Sequence, residues 1–289
     1  MAERVLPGLV TVTATTSSGT RHGTGLVFRS DGMILTAVPL VAGAASVTVT
    51  ARDGRHWEGA VVGQDARTGV AVVQIPGSGV GFGPLGPPPS LHVGQLVLAV
   101  TAGPTPEAPL SISLGVVDAV HQQVHLSGGQ SIPDAIESDA HPSNASGGVL
   151  LDQQGRIIGL LEANLSLPDG QGCVATPVAL ASWAAGQLAS SGHVAHAWLG
   201  VDGGNVPAGH SDALDRRGGA LVDRVQPASP AAAAGLVPGD VVDSVNGHPV
   251  TSMNDLQRAL LPLTPGTAVE LGVDRHGHQL TLRVVLGPA

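Results

Sequence analysis

Ser146 is the residue of this chain best placed to act as a nucleophile. It sits in the small-residue run Ser143-Asn144-Ala145-Ser146-Gly147-Gly148, followed at once by apolar Val149-Leu150-Leu151. A serine hydroxyl is a poor nucleophile at neutral pH. It needs an imidazole to take its proton and a carboxylate to hold that imidazole in the working tautomer. Two histidines are candidate bases: His141, just upstream of the run, and His22 in Arg21-His22-Gly23-Thr24-Gly25. The remaining histidines are scattered, with no His-Glu-x-x-His spacing, so no metal or other cofactor is expected. Cys173 is the only cysteine and lies in the apolar run Gly172-Cys173-Val174-Ala175, which reads as a buried inert thiol. A single cysteine makes no intramolecular disulfide and no zinc framework.

The chain around these groups has 289 residues, which suggests about two domains. It is 43% hydrophobic, enough for real cores, while 41 glycines and 22 prolines argue for many turns and little helix. The net charge is −9 and every basic residue is Arg. No basic patch occurs, so nucleic acid is not an expected partner. No apolar run is long enough to span a membrane and no signal-peptide pattern opens the chain.

The first half reads as short strands separated by turns. Leu9 to Thr13, Gly25 to Phe28 and Met33 to Val38 are apolar or alternating, with Arg29-Ser30-Asp31-Gly32 as a turn. Val47 to Thr50 and Trp57 to Val62 flank the turn Arg52-Asp53-Gly54-Arg55. Thr68 to Ile75 reads as a buried strand. Pro76 to Ser90 is a Pro/Gly-rich connector. Leu96 to Val100, Leu110 to Val120, Gln123 to Leu126, Val149 to Asp152 and Arg156 to Leu161 continue the pattern. Many short strands at regular spacing indicate an all-β barrel or sandwich. Pro177 suits the first turn of a helix that Ser191-Gly192 ends.

The run around Ser146 resembles the serine motif of the HtrA/Deg-type (trypsin-like) serine protease family with a C-terminal PDZ domain. Further likeness lies in Gly23-Thr24-Gly25, Ile34-Leu35-Thr36, Asp65 with Val70-Ala71-Val72, and Gly115-Val116-Val117. From Trp198 to Gly287 the chain resembles the attached PDZ domain. The matching runs there include Ser229-Pro230 to Gly239-Asp240, Val241 to Gly247, and Asp255 to Leu260. The resemblance implies a mostly β fold: a chymotrypsin/trypsin-like double β-barrel over residues 1–191, then an α+β PDZ domain over residues 192–289.

The departures from the family pattern fall on the chemistry. The resemblance puts the general base at position 39 and its acid at position 69, and these are Pro39 and Gly69. In the oxyanion loop, Asn144 and Ala145 replace the family residues just before Ser146. Neither proline nor glycine carries a titratable side chain, so a catalytically degenerate member is expected, with Ser146 as a relic nucleophile. The alternative is an active endopeptidase using Ser146 with a non-standard base, His141 or His22.

A PDZ domain adds an extended peptide to a sheet edge and captures its C-terminal carboxylate with backbone N–H groups. The resemblance places that loop at Trp198-Leu199-Gly200-Val201, with Met253 and Leu256 on the side wall and Leu260 assigned to the core. Peptides or protein C-termini with an apolar last residue are the expected partners, in a regulatory, adaptor or chaperone-like role in protein quality control. Family members commonly trimerise through N-terminal aromatic residues. No aromatic precedes Phe28, so that contact is not supported and the oligomeric state is open. The resemblance also implies an extracytoplasmic or membrane-anchored protein, with a cytosolic location the other option.

Overall fold

The computed structural model describes residues 5–77, 79–83, 85–87, 90–103, 108–125, 131–167, 170–207 and 218–289. Parts of the Pro76–Ser90 connector (residues 78, 84, 88 and 89) and Leu126 lie outside them. The chain forms two compact units, Met1–Val194 and Ala195–Ala289.

The first unit opens with a 3-10 turn at Leu6–Gly8. Strands β1 (Leu9–Thr16), β2 (Gly19–Val27) and β3 (Met33–Ala37) follow, then a one-turn helix α1 (Val38–Val41), then β4 (Ser46–Ala51), β5 (His56–Asp65) and β6 (Val70–Gln74). These strands close into a barrel in the order β1-β2-β3-β6-β5-β4. Its interior follows the period-two rule: Val10, Val12 and Ala14 on β1, Val47, Val49 and Ala51 on β4, and Ala71 and Val73 on β6 all face inward. The strand expected to run to Val38 ends at Ala37, because Val38 begins α1 and donates its N–H to Gly69 O at 2.7 Å.

A second closed barrel is built from β7 (Leu96–Thr101), β8 (Ser111–His125), β9 (Ser131–Ser138), β10 (Val149–Asp152), β11 (Ile157–Leu167) and β12 (Gly170–Pro177), in the order β10-β11-β12-β9-β8-β7. The two strands expected between Leu110 and Leu126 are one long strand, β8. Three register shifts against β9 let it bend without breaking, and His121 and the facing-strand residue Asp134 take positive φ there. Helix α2 (Val178–Ser191) has Pro177 as its N-cap and ends at Gly192, whose φ is 76°. Its Ala181, Ala184, Ala185 and Leu188 pack on Leu35, Val70 and Val72 of the first barrel and Leu160 of the second. The outer face of one barrel is thus joined to the other through the helix.

The second unit contains β13 (Ala197–Trp198), β14 (Val201–Asn205), β15 (Ala220–Val225), α3 (Pro230–Ala233), β16 (Val241–Val245), β17 (His248–Pro249), α4 (Met253–Leu260), β18 (Ala268–Arg275), β19 (His278–Val285) and β20 (Gly287–Pro288). The main sheet runs β14-β15-β16-β18-β19, with β17 beside β16 and β13 paired to β20. Asn246-Gly247 and His276-Gly277 make left-handed two-residue turns, with φ of 49° and 77°, and 54° and 84°. Ser229 Oγ accepts the Ala232 N–H and Ser252 Oγ accepts the Asp255 N–H, which caps both helices. The Asp255 carboxylate in turn accepts from Thr251 N–H and Oγ1, just before the helix.

Candidate functional site

The Ser146 loop lies where the two barrels of the first unit meet. Thr24 on β2 donates its N–H to Ser146 O at 2.9 Å, and Thr24 Oγ1 accepts the Ala102 N–H at 2.7 Å. Gly147 N–H bonds Leu161 O, and Gly148 N–H bonds Ala145 O. Gly147 has a φ of 78°, and a Cβ there would overlap Thr24 O. Only glycine lets the loop come this close to β2. Ala145 is 1% exposed and packs in the second-barrel core.

Asn144 engages the loop twice. Its Nδ2 donates to His22 O, and its Oδ1 accepts the Ser146 N–H at 3.2 Å. In an acyl-transfer site the nucleophile's own N–H is one of the donors that stabilise the oxyanion. Here that N–H already has an acceptor. Ser146 Oγ is buried and has no hydrogen-bond partner.

Neither candidate histidine reaches it. His22 Nδ1 lies 3.0 Å from Thr13 Oγ1, its cross-strand neighbour. A Cβ on the next residue, Gly23, would point at Ser146 O, so alternation along β2 turns the His22 ring to the other face. His141 is exposed and is tied by its backbone N–H to Ser113 Oγ. Pro39 stands at the second residue of α1, where Arg21 bonds both its carbonyl and that of Ala42 at 3.0 Å.

Gly69 closes a turn made by Asp65, whose Oδ2 accepts from Thr68 N–H and Oγ1. Its φ is 78°, and a Cβ there would lie 2.5 to 2.7 Å from the carboxyl atoms of Glu162. Glu162, on β11, is 1% exposed; its Oε1 is 2.9 Å from Thr176 Oγ1 and its Oε2 has no partner. Burial pushes its carboxyl well above the usual carboxylate range. Sequence reasoning passed over Glu162. The available signal was an acid directly following the apolar run Ile157-Ile158-Gly159-Leu160-Leu161.

In the second unit, β14 pairs only with β15 among the described residues, so its other edge is free and lies beside α4. Asn205 Oδ1 accepts the Met253 N–H at 2.9 Å and pins the start of α4 to that strand. Met253 Cε covers Gly203, within 2.8 Å of a would-be Cβ. Leu199 is buried and its carbonyl accepts the Ala231 N–H, while Gly200 O accepts the Gln226 N–H. Gly200 has a φ of 89° and packs against Ser229 and the Trp198 ring, which is 38% exposed. Val201, the first residue of β14, is half-buried. Both leucines of α4 pack with the core of this unit, to different depths. Leu256 is 1% exposed and belongs to the core, while Leu260 is only half-buried, because the stripe facing the sheet centres on residue 256. No cluster of His, Cys, Asp or Glu that could hold a metal ion occurs among the described residues.

This geometry has close relatives among known proteins. Residues 23–160 match the family model of the trypsin-like peptidase domain, and residues 205–286 that of the PDZ domain. The chain is 34% identical over 281 residues to the protein named as serine protease HhoA of Synechocystis sp., covering 91% of this chain and 70% of that one. It is 34% identical over 276 residues to a DegP-like periplasmic serine endoprotease of Pseudomonas savastanoi pv. phaseolicola, covering 92% of this chain and 55% of that one. Among solved structures, an HtrA-type protease AlgW with tripeptide matches with a TM-score of 0.80 at 26% identity, over 100% of this chain and 96% of that one. A serine endoprotease from Yersinia pestis matches with a TM-score of 0.69 at 26% identity, again over 100% and 96%. The chain belongs to the HtrA/DegP-like family of trypsin-like serine proteases with a PDZ domain. It spans about half the length of the DegP-like relatives it matches. Among the described residues no helix is long and apolar enough to cross a membrane.

Proposed function

We propose that this protein is a non-catalytic member of its family that holds peptides or protein C-termini through its PDZ unit, as a regulator, adaptor or chaperone in an extracytoplasmic compartment. The observation that carries the reading is the state of Ser146: its Oγ has no hydrogen-bond partner, and its N–H is engaged by Asn144. Activation of a serine requires a base within hydrogen-bond reach, and Pro39 offers none. In another serine protease, loss of the base alone costs about 10⁶ in turnover. The groove between the free edge of β14 and α4 supports peptide capture by strand addition. Several relatives are named as periplasmic, which supports the compartment.

A second reading, an active endopeptidase with an unorthodox base, draws support from the relatives' names as serine proteases. The binding half of the first reading is tested with labelled decapeptides ending in Val, as free acid and as amide, by fluorescence anisotropy on the whole chain. Binding of the acid with loss on amidation is expected. No binding of either form contradicts the groove assignment.

A further inference from the structure

We propose that Glu162 supplies, from the second barrel, the carboxyl group that position 69 lacks, so that of the three triad functions the cleft is short only of the imidazole. The inference rests on the reading of residue 39 as the base position.

The placement is reciprocal. A side chain on Gly69 would begin inside the Glu162 carboxyl, 2.5 Å from Oε2, 2.6 Å from Cδ and 2.7 Å from Oε1. Any side chain at position 69 would therefore require the Glu162 carboxyl to move away from where it now lies. The Val38 N–H bonds Gly69 O at 2.7 Å, so residue 39 follows immediately on the segment that touches this turn. An apolar side chain would fill this buried position at less cost than a carboxyl with only one oxygen bonded.

A protonated Glu162 lets both close contacts of Thr176 be hydrogen bonds. Thr176 Oγ1 lies 2.8 Å from Thr68 O and 2.9 Å from Glu162 Oε1. A carbonyl only accepts, so in that state the single hydroxyl proton of Thr176 goes to Thr68 O. The contact to Glu162 is then completed by an Oε1–H donated to Thr176. Oε2 is left as a carbonyl-type acceptor without a partner, against Gly69. That oxygen is where the N–H of an imidazole on residue 39 would find its acceptor, the role the acid plays in a triad. Glu162 is on this account a positioning residue held as a neutral acid until a base is present.

The test is an NMR titration of the imidazole that P39H introduces, in full-length P39H and in P39H/E162Q. Glutamine keeps the shape of Glu162 and removes its charge. The imidazole at position 39 is expected to titrate about one unit or more higher in P39H than in P39H/E162Q, since a neighbouring carboxylate favours the imidazolium by that order. Equal titration in the two variants overturns the proposal. A measurement without substitution at residue 39 stands beside it: in the unmodified protein the Glu162 side-chain carboxyl ¹³C resonance should report the protonated form at pH 7. An ionised Glu162 overturns the hydrogen-bond chain. The underlying non-catalytic reading fails separately, through labelling of Ser146 in the unmodified protein, which does not bear on either NMR result.

Discussion

Asn205→Ala tests whether the peptide groove depends on the bond that ties α4 to β14. The Met253 N–H is one of the first-turn donors without a partner inside its helix, and Asn205 Oδ1 accepts it at 2.9 Å. Loss of such a cap costs about 1 kcal/mol. If that ordering must instead be supplied when a peptide docks, affinity falls about fivefold, since about 1.4 kcal/mol is tenfold. Ser252→Ala is the matched control. Ser252 Oγ caps the Asp255 N–H of the same helix at 3.0 Å without touching β14. Both variants should lose about 1 kcal/mol in chemical denaturation. Only Asn205→Ala should weaken binding of a decapeptide ending in Val, read by fluorescence anisotropy. Equal weakening by both variants, or none by Asn205→Ala, would refute the reasoning that this bond sets the width of the groove.

Leu256→Ala should destabilise the protein by about 2–5 kcal/mol, as for a fully buried core leucine, while Leu260→Ala should cost less and weaken peptide binding more; denaturant melts and anisotropy on the two variants decide this. Burial raises the pKa of Asp255, but bonds from the Thr251 hydroxyl, Arg258 and the Thr251 N–H together bring it down to about 2. A depressed carboxylate stabilises above its unfolded pKa and loses that contribution as pH falls through the folded value. The stability difference between wild type and Asp255→Asn should therefore be about 2 kcal/mol at about pH 6 and shrink toward zero as pH falls from about 4 to about 2, measured by denaturant titration at each pH. Burial pushes the Cys173 thiol up to about 12, so native protein should resist a thiol reagent at about pH 8 and react fully once unfolded. Rapid labelling of the native state would contradict that placement.

The elements were legible wherever a local rule was strong. Alternation located β1, the turn Arg52-Asp53-Gly54-Arg55 located the β4–β5 hairpin, an apolar run located β6, and Pro177 with Ser191-Gly192 bounded α2. What sequence missed depends on contacts distant along the chain. Glu162 meets Gly69 only after two barrels close, and nothing within either segment announces the other. The grip of Asn144 on the Ser146 N–H is local, yet it rests on a side-chain rotamer that composition does not specify. Leu256 and Leu260 share one helical stripe, and only the packed sheet decides which of them is covered. The continuity of β8 was lost for the same kind of reason, because a bulged strand breaks period-two alternation without ending.

The most direct test of the central claim is intact-mass labelling of wild type and Ser146→Ala with a fluorophosphonate probe. An unactivated Ser146 gives no adduct on either protein. An adduct on wild type that disappears in Ser146→Ala would contradict the account and direct the search for a base to His141 and His22.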